Sequence, residues 1–504
     1  MLNLPQITFK QIAVMFAVIL ASVTTGFHNR LLLVALPDLR GVWGLDIDEG
    51  TILISLALAP QLLLASVAPW LSRAFGIRRT VIPSSLLLIF VTFLIPFLRG
   101  FVPLVIAHAV AGALFGIFIT LSIAVLNKNL PPAWMVVPLA FYSYSLTFSI
   151  NTGVTVGGFY IEQTGWHWIY WQTSILMLVY LLVVRSCSVQ DDPVQKEMIR
   201  GADWSGMFFF CTATTLLYIG FYHGERLDWL DSGIVSCCLW GGLLLFLLFC
   251  FNEKIARKPW APLRSVWNRN VFMCLLLTGT YCFIVTANSL LITQFLETVR
   301  YLKPEQTGLA LLPIPLLHLV FIPVAIILTR FLDGRLIFAL GACCFAVGCW
   351  LGMFVTADWV AKDFLPVGIL FSLGHPLCFM GIMALTLSNF EREKLVSILA
   401  FLHVFRVLFP AIATSIILFV ERIGKDAHAL YIKQHLMMND PVTGHHLEIF
   451  HGKIAEMQKV VMLEASVRAF QDAFQISFWI AVSILLILFL MRPSKATPIC
   501  PVGV

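Results

Sequence analysis

Histidines that lie inside long apolar segments are the side chains of this sequence best suited to proton exchange. His28 and His108 stand in the first and fourth of these segments. An imidazole, with an unperturbed pKa of about 6.5, gains and loses a proton near physiological pH. Ionisable groups are costly within a membrane and usually serve a function there. We therefore predict that His28 and His108 form a proton-coupling site. For each, the alternative is a hydrogen-bonded interior histidine without that role.

A cationic side chain lies deep in a later apolar segment. Arg406 follows His403 by three positions, so both side chains share one face of a helix. An arginine in apolar surroundings needs a polar partner, an anionic ligand or water. We predict that Arg406, His403 and Arg30 line a central cavity. The alternative for Arg406 is a bridge to carbonyl groups of a neighbouring helix, and His318 and His375 are expected to be structural.

The charge of this predicted cavity favours particular ligands. Asp38 and Glu297 lie near the ends of apolar segments, and we find no acidic residue well inside one. A cavity with basic groups and no carboxylate would repel quaternary ammonium compounds. Anionic or neutral amphiphiles are therefore the expected ligands, with Tyr142, Tyr144 and Asn151 as further hydrogen-bonding groups of the cavity.

The elements that position these side chains must be membrane-spanning helices. Of the 504 residues, 59% are hydrophobic and 12% are charged, whereas soluble domains carry about 25% charged residues. The hydrocarbon core of a bilayer is about 30 Å thick and needs about 20 apolar residues per helix. The apolar runs do not alternate with a period of two, which excludes a β-barrel. The expected fold class is an all-α polytopic membrane protein.

About fourteen apolar segments meet the length criterion for a membrane span. They lie at approximately 11–37, 51–72, 81–98, 102–126, 134–160, 168–187, 205–223, 233–252, 271–296, 306–329, 336–356, 365–387, 397–421 and 471–491. Basic residues gather in the loops after the second and eighth segments, whereas the loop after the first is acidic. Because lysine and arginine accumulate on the cytoplasmic side, both termini are predicted to be cytoplasmic.

The composition also argues against several other classes of protein. The net charge of +6 comes from short loops between apolar segments, so nucleic-acid binding is not expected. The twelve cysteines show no spacing typical of a metal site. A membrane enzyme would need clustered acids, an activated nucleophile or metal ligands, and none is evident. We therefore expect no catalytic residue, metal or cofactor.

Several short motifs occur along the chain in the order and spacing of one family. They are Asn151-Thr152-Gly153-Val154-Thr155-Val156-Gly157-Gly158, Trp166-His167-Trp168-Ile169-Tyr170, Ala202-Asp203-Trp204-Ser205-Gly206, Gly224 with Asp228-Trp229, Pro262-Leu263 with Asn268-Arg269-Asn270, Gly308-Leu309 with Leu312-Pro313, and Arg406. The sequence thus resembles the fourteen-span drug:proton antiporters of the major facilitator superfamily, the EmrB/QacA-like group, and is most similar to its EmrB side. The resemblance covers residues 30–490.

The resemblance implies both an architecture and a function. The fold would be two six-helix bundles, 1–187 and 271–504, separated by two inserted helices within 188–270. The implied function is an inner-membrane secondary transporter that exports amphiphilic small molecules by proton antiport. Export of an endogenous metabolite, such as a siderophore or lipid precursor, is an alternative, as is a transport-deficient sensory or scaffold protein.

A long polar segment suggests which partners such a transporter would have. Residues 423–470 are predicted to form a periplasmic loop with two polar helices, at 425–438 and 447–470. In relatives with such a loop, the transporter works with a periplasmic adaptor (a membrane fusion protein) and an outer-membrane channel. We therefore expect a docking surface in this loop, and a solvated hairpin is the alternative.

Members of this family commonly carry an aspartate in the first span and an arginine in the fourth. The alignment of Val34-Ala35-Leu36-Pro37 places His28 at the aspartate position, and His108 falls at the arginine position. The resemblance therefore implies that a pair of histidines replaces an acid–base pair, which supports the proton-coupling hypothesis for both residues.

Glycines in two spans are expected to permit close helix contacts. Gly153, Gly157 and Gly158 in the fifth segment, and Gly112 in the fourth, have the small-residue spacing that lets helix backbones approach in lipid. A role in gating and a role in tight packing alone are both open.

A cytoplasmic loop carries a damaged version of a superfamily motif. Gly76, Arg78 and Arg79 match it, but Arg73 occupies its acidic position. The charge relay that the motif usually provides between helices is therefore not expected.

Overall fold

Long helices dominate the fold. The computed structural model describes residues 7–131, 134, 136–187, 193–389, 395–436 and 454–492. Thirteen helices in these ranges are long and apolar enough to cross a membrane. A further helix, Val136–Phe159, has 24 residues and is also long enough at a rise of about 1.5 Å per residue. The predicted all-α polytopic fold with about fourteen spans is confirmed.

We number the spanning helices in chain order. They are α1 (Phe9–Trp43), α2 (Ile47–Phe75), α3 (Ile77–Leu94), α4 (Phe101–Asn129), α5 (Val136–Phe159), α6 (Trp168–Ser186), α7 (Trp204–Gly224), α8 (Gly233–Ile255), α9 (Arg269–Thr298), α10 (Pro304–Phe331), α11 (Gly334–Gly352), α12 (Leu365–Asn389), α13 (Leu395–His435) and α14 (Ile454–Leu490).

Two of these helices are interrupted near a proline. In α2 the break falls at Pro60, and in α10 it falls just before Pro313. Proline has no N–H to donate to the preceding turn, so an interior proline disrupts the helix ladder. Directly after the α2 break, the Gln61 amide donates to Asn29 Oδ1 of α1 over 3.1 Å. The break thus presents a polar side chain to the bundle interior.

The helices form two groups. Within the first, α1 packs against α4, α5 and α6; within the second, α9 packs against α12, α13 and α14. The groups meet where α5 contacts α10 and α12 and where α2 contacts α13. We call this contact of α2 and α5 with α10, α12 and α13 the seam. It is the surface on which any movement of one group against the other must take place.

The hairpin of α7 and α8 is attached beside the two groups. The two helices pack against each other, and α7 also contacts α2 and α13. Only 17% of the most apolar window of α8 is buried, so its large side chains face outward, where lipid would cover them. At one end of the hairpin, Arg422 of α13 contacts Glu225 at 2.5 Å and Asp228 at 3.3 Å.

At its other end, the hairpin is held by one aspartate. Asp203 accepts hydrogen bonds from the Gly206 amide at 2.8 Å and from the Asn252 side chain of α8 at 2.9 Å. The backbone N–H of Trp260 approaches the second carboxylate oxygen at 3.4 Å. Asp203 therefore caps α7 and also ties the following helix and loop to its start.

The polar segment near the end of the chain is helical as predicted, but its helices are not separate. Residues 423–435 continue α13, and residues 454–470 continue into α14. Residues 437–453, and with them the predicted gap between the two polar helices, lie outside the described residues. With 41 residues, α13 is about 60 Å long at about 1.5 Å per residue, roughly twice the thickness of the hydrocarbon core.

Asp203→Ala is expected to lower the apparent melting temperature of the purified protein. The substitution removes a helix cap, which typically costs about 0.5–2 kcal/mol, and it leaves the buried partners of the carboxylate unsatisfied. Thermal unfolding followed by intrinsic fluorescence in detergent measures this effect. Ser232→Ala is the matched control, because Ser232 precedes α8 without making a side-chain cap bond. Equal melting temperatures for both variants would contradict the capping role of Asp203.

Candidate functional site

A small cavity lies in the seam, between α5, α9, α10 and α12. Its polar lining comes from Thr147, Asn151, Asn288, Ser289 and His375. The cavity volume is about 40 Å³, enough for a few water molecules but far below the roughly 300–1,000 Å³ of a pocket for a drug-sized ligand. The two helix groups are in contact around this cavity, and we call this arrangement the closed conformer.

Close backbone contacts help to hold the seam closed. A Cβ atom placed on Gly158 of α5 would lie 2.9 Å from the backbone nitrogen of Glu305 at the start of α10. A Cβ on Gly308 would meet the backbone of Thr155 at an even shorter distance. Only glycine allows α5 and α10 to approach in this way.

The other predicted packing glycines face partners within the first helix group. A Cβ on Gly153 would lie 2.8 Å from Arg30, and one on Gly157 would lie 3.1 Å from Val34. Gly112 of α4 meets the carbonyl of Ala57 in α2. Of the four predicted glycines, Gly158 is the one whose nearest neighbours belong to the opposite side of the seam.

The two predicted proton-coupling histidines meet in one cluster. His108 Nε2 lies 3.0 Å from the Tyr170 hydroxyl, and His108 Nδ1 lies 2.7 Å from the Leu104 carbonyl oxygen. His28 Nδ1 lies 3.1 Å from Thr173 Oγ1. The rings of His28 and His108 lie 5.8 and 5.6 Å from the Tyr170 ring, between centroids. The helices α1, α4 and α6 thus bring this cluster together inside one group.

The surroundings of His108 determine its tautomer. A carbonyl oxygen can only accept, so the neutral ring carries its proton on Nδ1 and donates it to Leu104. Nε2 then accepts from the hydroxyl of Tyr170. His28 and His108 are 2% and 0% exposed, so a proton added here would place a charge out of reach of water. Tyr170 is a site residue that sequence analysis missed, although the motif Trp166-His167-Trp168-Ile169-Tyr170 contained it.

Two further histidines meet at the seam. His375 Nδ1 of α12 lies 3.1 Å from Ser143 Oγ of α5, so this hydrogen bond crosses the seam. The Tyr281 hydroxyl of α9 lies 3.1 Å from His375 Nε2. The ring of His318, on α10, lies 4.9 Å from that of His375, between centroids. The sequence could not have shown this cluster, because its members come from four helices with no shared motif.

Arg406 also reaches across the seam. Its guanidinium carbon lies 5.3 Å from the ring centroid of Tyr142 on α5, within the range of a cation–π contact. His403, one turn earlier on α13, is 3% exposed, and its Nδ1 has no hydrogen-bond partner among the described residues. The predicted Arg406–His403 face is thus directed into the protein, with an aromatic ring as the arginine's partner.

The remaining predicted cavity residues occupy different depths of the same region. Asn151 lines the cavity itself, whereas the Tyr144 ring lies 5.7 Å from that of His318, between centroids. Arg30 of α1 donates to Thr293 Oγ1 of α9 over 3.5 Å. It also lies close enough to Glu297 to interact with it electrostatically. The structure therefore distributes these side chains along the contact of the two groups instead of clustering them.

The loop between α2 and α3 turns at a glycine. Gly76 has a φ of 93°, which a residue with a Cβ adopts only with strain. Arg78 follows in the first turn of α3 and is partly buried, whereas Arg79 is exposed. The backbone N–H of Gln195 donates to the Ala74 carbonyl over 2.9 Å, which ties the segment before α7 to this loop.

Comparison with known proteins agrees with the motifs. The family profile described as Major Facilitator Superfamily matches residues 18–414. The chain is 22% identical over 415 residues to the multidrug export protein EmrB of Haemophilus influenzae, covering 81% of this chain and 80% of that protein. It is 22% identical over 394 residues to the multidrug export protein EmrB of Escherichia coli strain K12, covering 76% of this chain and 75% of that protein.

Solved structures share the fold. The human organic anion transporter MFSD10 superposes with a TM-score of 0.60, covering 94% of this chain and 99% of that chain, at 12% sequence identity. A crystal structure of a D-xylose–proton symporter gives a TM-score of 0.58 at 13% identity, covering 96% of this chain and 99% of that chain. At these identities the likeness concerns the fold alone.

Gly158→Ala is expected to destabilise the closed conformer, because the added methyl group would collide with the backbone of α10. The matched control is Gly41→Ala in α1, where a Cβ would meet nothing within 4 Å. Both variants gain the same helix propensity, about 0.5–1 kcal/mol, so their difference reports the collision. Thermal unfolding in detergent should show a lower melting temperature for Gly158→Ala only. A melting temperature at or above that of Gly41→Ala would contradict the contact.

Proposed function

The chain belongs to the major facilitator superfamily, and on this premise we propose that it is a secondary transporter that exports amphiphilic small molecules in exchange for protons. The observation that carries the proposal is the alignment of most of the chain with proteins named multidrug export proteins. The closed seam around a central cavity supports it, because a transporter must shield its ligand from both sides of the membrane in turn. We place the protein in the inner membrane with both termini in the cytoplasm, as the basic loops indicate.

The charges at the seam favour anionic or neutral ligands. Arg406 is partly buried and packs against an aromatic ring, and no carboxylate lines the cavity among the described residues. At an effective dielectric constant of about 20, a cation about 5 Å from a guanidinium is repelled by about 3 kcal/mol. A negatively charged headgroup would be attracted by the same amount.

The proposed binding residues would act together when the seam opens. Asn151 already faces the cavity, and Tyr142 and Arg406 lie against each other in the closed conformer. Separation of α5 from α13 would free the guanidinium for a ligand. Tyr144, His403 and Arg30 complete the proposed set along the same contact, with aromatic rings to receive the apolar part of an amphiphile.

We propose that His28 and His108 carry the coupled proton. Their cluster holds neutral imidazoles with defined partners, and protonated His108 would have two N–H groups. The second N–H could donate to Tyr170 only if that hydroxyl turned its own proton away. Proton binding would thus rearrange the bonds among α1, α4 and α6, which gives a physical link from protonation to helix packing.

Alternating access would require the glycine contacts to separate and form again. Gly158 and Gly308 bring the backbones of α5 and α10 together at the predicted periplasmic end of the seam. Gly153, Gly157 and Gly112 let the helices of the first group pack closely enough to move as a unit. On the predicted cytoplasmic side, the loop with Gly76, Arg78 and Arg79 follows directly after α2, the helix that contacts α13.

We further propose that the extensions of α13 and α14 dock onto a periplasmic adaptor and, through it, an outer-membrane channel. The two extensions pack on each other: His428 Nε2 lies 2.7 Å from an Asp472 carboxylate oxygen. A Cβ on Gly424 would lie 3.2 Å from Ala469. A long, internally braced helix pair that continues beyond the membrane is a suitable platform for another protein.

Transport by inverted inner-membrane vesicles from an exporter-deficient strain tests the substrate class. Three labelled probes differ in charge: taurocholate is anionic, corticosterone is neutral and tetraphenylphosphonium is cationic. We expect energy-dependent uptake of taurocholate or corticosterone and none of tetraphenylphosphonium. Arg406→Gln should lower taurocholate uptake by about a hundredfold, since it removes an attraction of about 3 kcal/mol and each 1.4 kcal/mol corresponds to about a factor of ten, and it should affect corticosterone less.

The control for loss of one positive charge is Arg185→Gln, at the exposed end of α6, which should transport normally. Preferred uptake of tetraphenylphosphonium would overturn the proposed substrate class. If the folded protein transports none of the probes, the result favours one of the two alternatives: a transport-deficient sensory or scaffold protein, or an exporter of a single endogenous metabolite.

The coupling proposal has a separate test in proteoliposomes. His28→Gln and His108→Gln keep hydrogen-bonding groups but remove the titratable ring. Both variants should lose taurocholate accumulation driven by a pH gradient and retain substrate counterflow, which needs no net proton movement. His223→Gln on α7 replaces another buried histidine, 3% exposed, outside the proposed site and should keep both activities. Gradient-driven accumulation that survives in both site variants would exclude this coupling role.

A further inference from the structure

The histidine pair at the seam differs from His28 and His108 in its partners. His318 is 0% exposed, and both of its ring nitrogens lack a hydrogen-bond partner among the described residues. A buried polar group left unsatisfied costs about 1–3 kcal/mol, and an added charge would cost considerably more. The closed conformer therefore tolerates His318 only in its neutral form.

His375 helps to hold the seam closed. Its hydrogen bond with Ser143 joins α12 to α5 over 3.1 Å. The ring of His318 lies 4.9 Å away at an interplanar angle of 49°, and the ring of Tyr144 of α5 lies 5.7 Å from that of His318, between centroids. The pair is thus inserted between helices of both groups, and any separation of α5 from α10 and α12 would uncover it.

Among the described residues, the groups in contact with the pair offer no counter-charge to a bound proton. They are Ser143 and Tyr144 from α5 and Tyr281 from α9. Among the described residues, none of the hydrogen bonds of the two rings involves a carboxylate. Arg406 interacts electrostatically with Tyr281, whose hydroxyl contacts His375, so it adds no negative charge to the site.

We propose that His318 and His375 form a proton-binding site whose charge opens the seam. With the pair neutral, α5 stays packed on α10 and α12. When one imidazole nitrogen takes a proton from water, the charged pair is stable only in a conformer in which the seam admits water. Two imidazoles this close hold one proton and not two, because like charges repel.

The inference rests on the proposed proton antiport and adds a site to it. The bonds of His28 and His108 run within the first helix group, so opening of the seam does not break them. The seam pair contacts both groups, which makes it the place where a proton directly changes the contact between them. A role in proton binding also explains why both ring nitrogens of His318 remain without a hydrogen-bond partner among the described residues.

Hydrogen–deuterium exchange of the full-length protein in lipid nanodiscs tests the proposal without a substrate. Exchange is compared at about pH 5.5 and about pH 8, on either side of the unperturbed histidine pKa of about 6.5, with labelling times scaled to the intrinsic rates. We expect peptides around Ser143, His318 and His375 to exchange several-fold faster at the lower pH, and peptides of α8 to show no change.

Two variants identify the groups responsible. His318→Phe keeps a planar ring without titratable nitrogens, and it should exchange slowly at both pH values. His375→Asn retains a donor for Ser143 and should likewise lose the pH response, which covers the case in which His318→Phe fails to fold. His28→Gln should keep the response, because its cluster lies outside the seam. A wild-type protein without a pH response, or variants that retain it, would overturn the inference.

The coupled transport assay separates this inference from the proposed function. If the seam responds to pH through His318 but no probe is accumulated along a pH gradient, proton antiport fails and the proton-binding site stands. If taurocholate is accumulated and His318→Phe still accumulates it as the wild type does, the antiport stands and the inference fails. Loss of accumulation in His318→Phe, together with loss of its pH response in hydrogen–deuterium exchange, supports both.

Discussion

The interior of a membrane protein cannot hydrate a charge, and the arrangement of polar groups in this structure follows from that constraint. Arg422 meets Glu225 and Asp228 at the end of the α7–α8 hairpin. Arg406 lies over the ring of Tyr142 and forms no ion pair with any of the described residues. The rings of His28, His108, His318 and His375 lie in closely packed, aromatic surroundings that favour a neutral imidazole. Each of these solutions ties one helix to another, so the cost of burying polar groups determines which helices stay together.

The seam is made of contacts that are individually weak. Glycines let α5 and α10 touch along their backbones, one hydrogen bond joins Ser143 to His375, and one cation–π contact joins Arg406 to Tyr142. Net contributions of such interactions are about 1 kcal/mol each. These polar contacts lie within an apolar core that α2 and α5 share with the second helix group. A change in the charge of a single side chain at the seam is therefore at least comparable with any one of its polar contacts.

The sequence predicted the helices well because a span depends only on local apolar composition. It also predicted that His28 and His108 belong together, since the motifs of α1 and α4 aligned them with a known pair. Contacts that depend on packing could not be predicted: His318 and His375 meet only because α10 crosses α12 next to α5. The continuity of α13 was also missed. Its apolar run ends near residue 421, but the helix continues to His435, braced by the start of α14.

Exchange of one ligand for another requires that the empty transporter does not change its orientation. The closed conformer holds neither ligand, because its cavity of about 40 Å³ is too small for an amphiphile and both ring nitrogens of His318 lack a partner among the described residues. In the proposed exchange it must therefore open again to the side from which it closed. By Coulomb's law, an anion near Arg406 would also attract a proton to the imidazole rings of His318 and His375. At a separation of about 5 Å and an effective dielectric constant of about 20, this attraction is about 3 kcal/mol. It favours joint binding of the anion and the proton over their exchange. Antiport of an anion therefore needs a steric separation of the two ligands. The bond from Ser143 to His375 can provide it, because a ligand that inserts there takes the space in which a protonated ring would be hydrated.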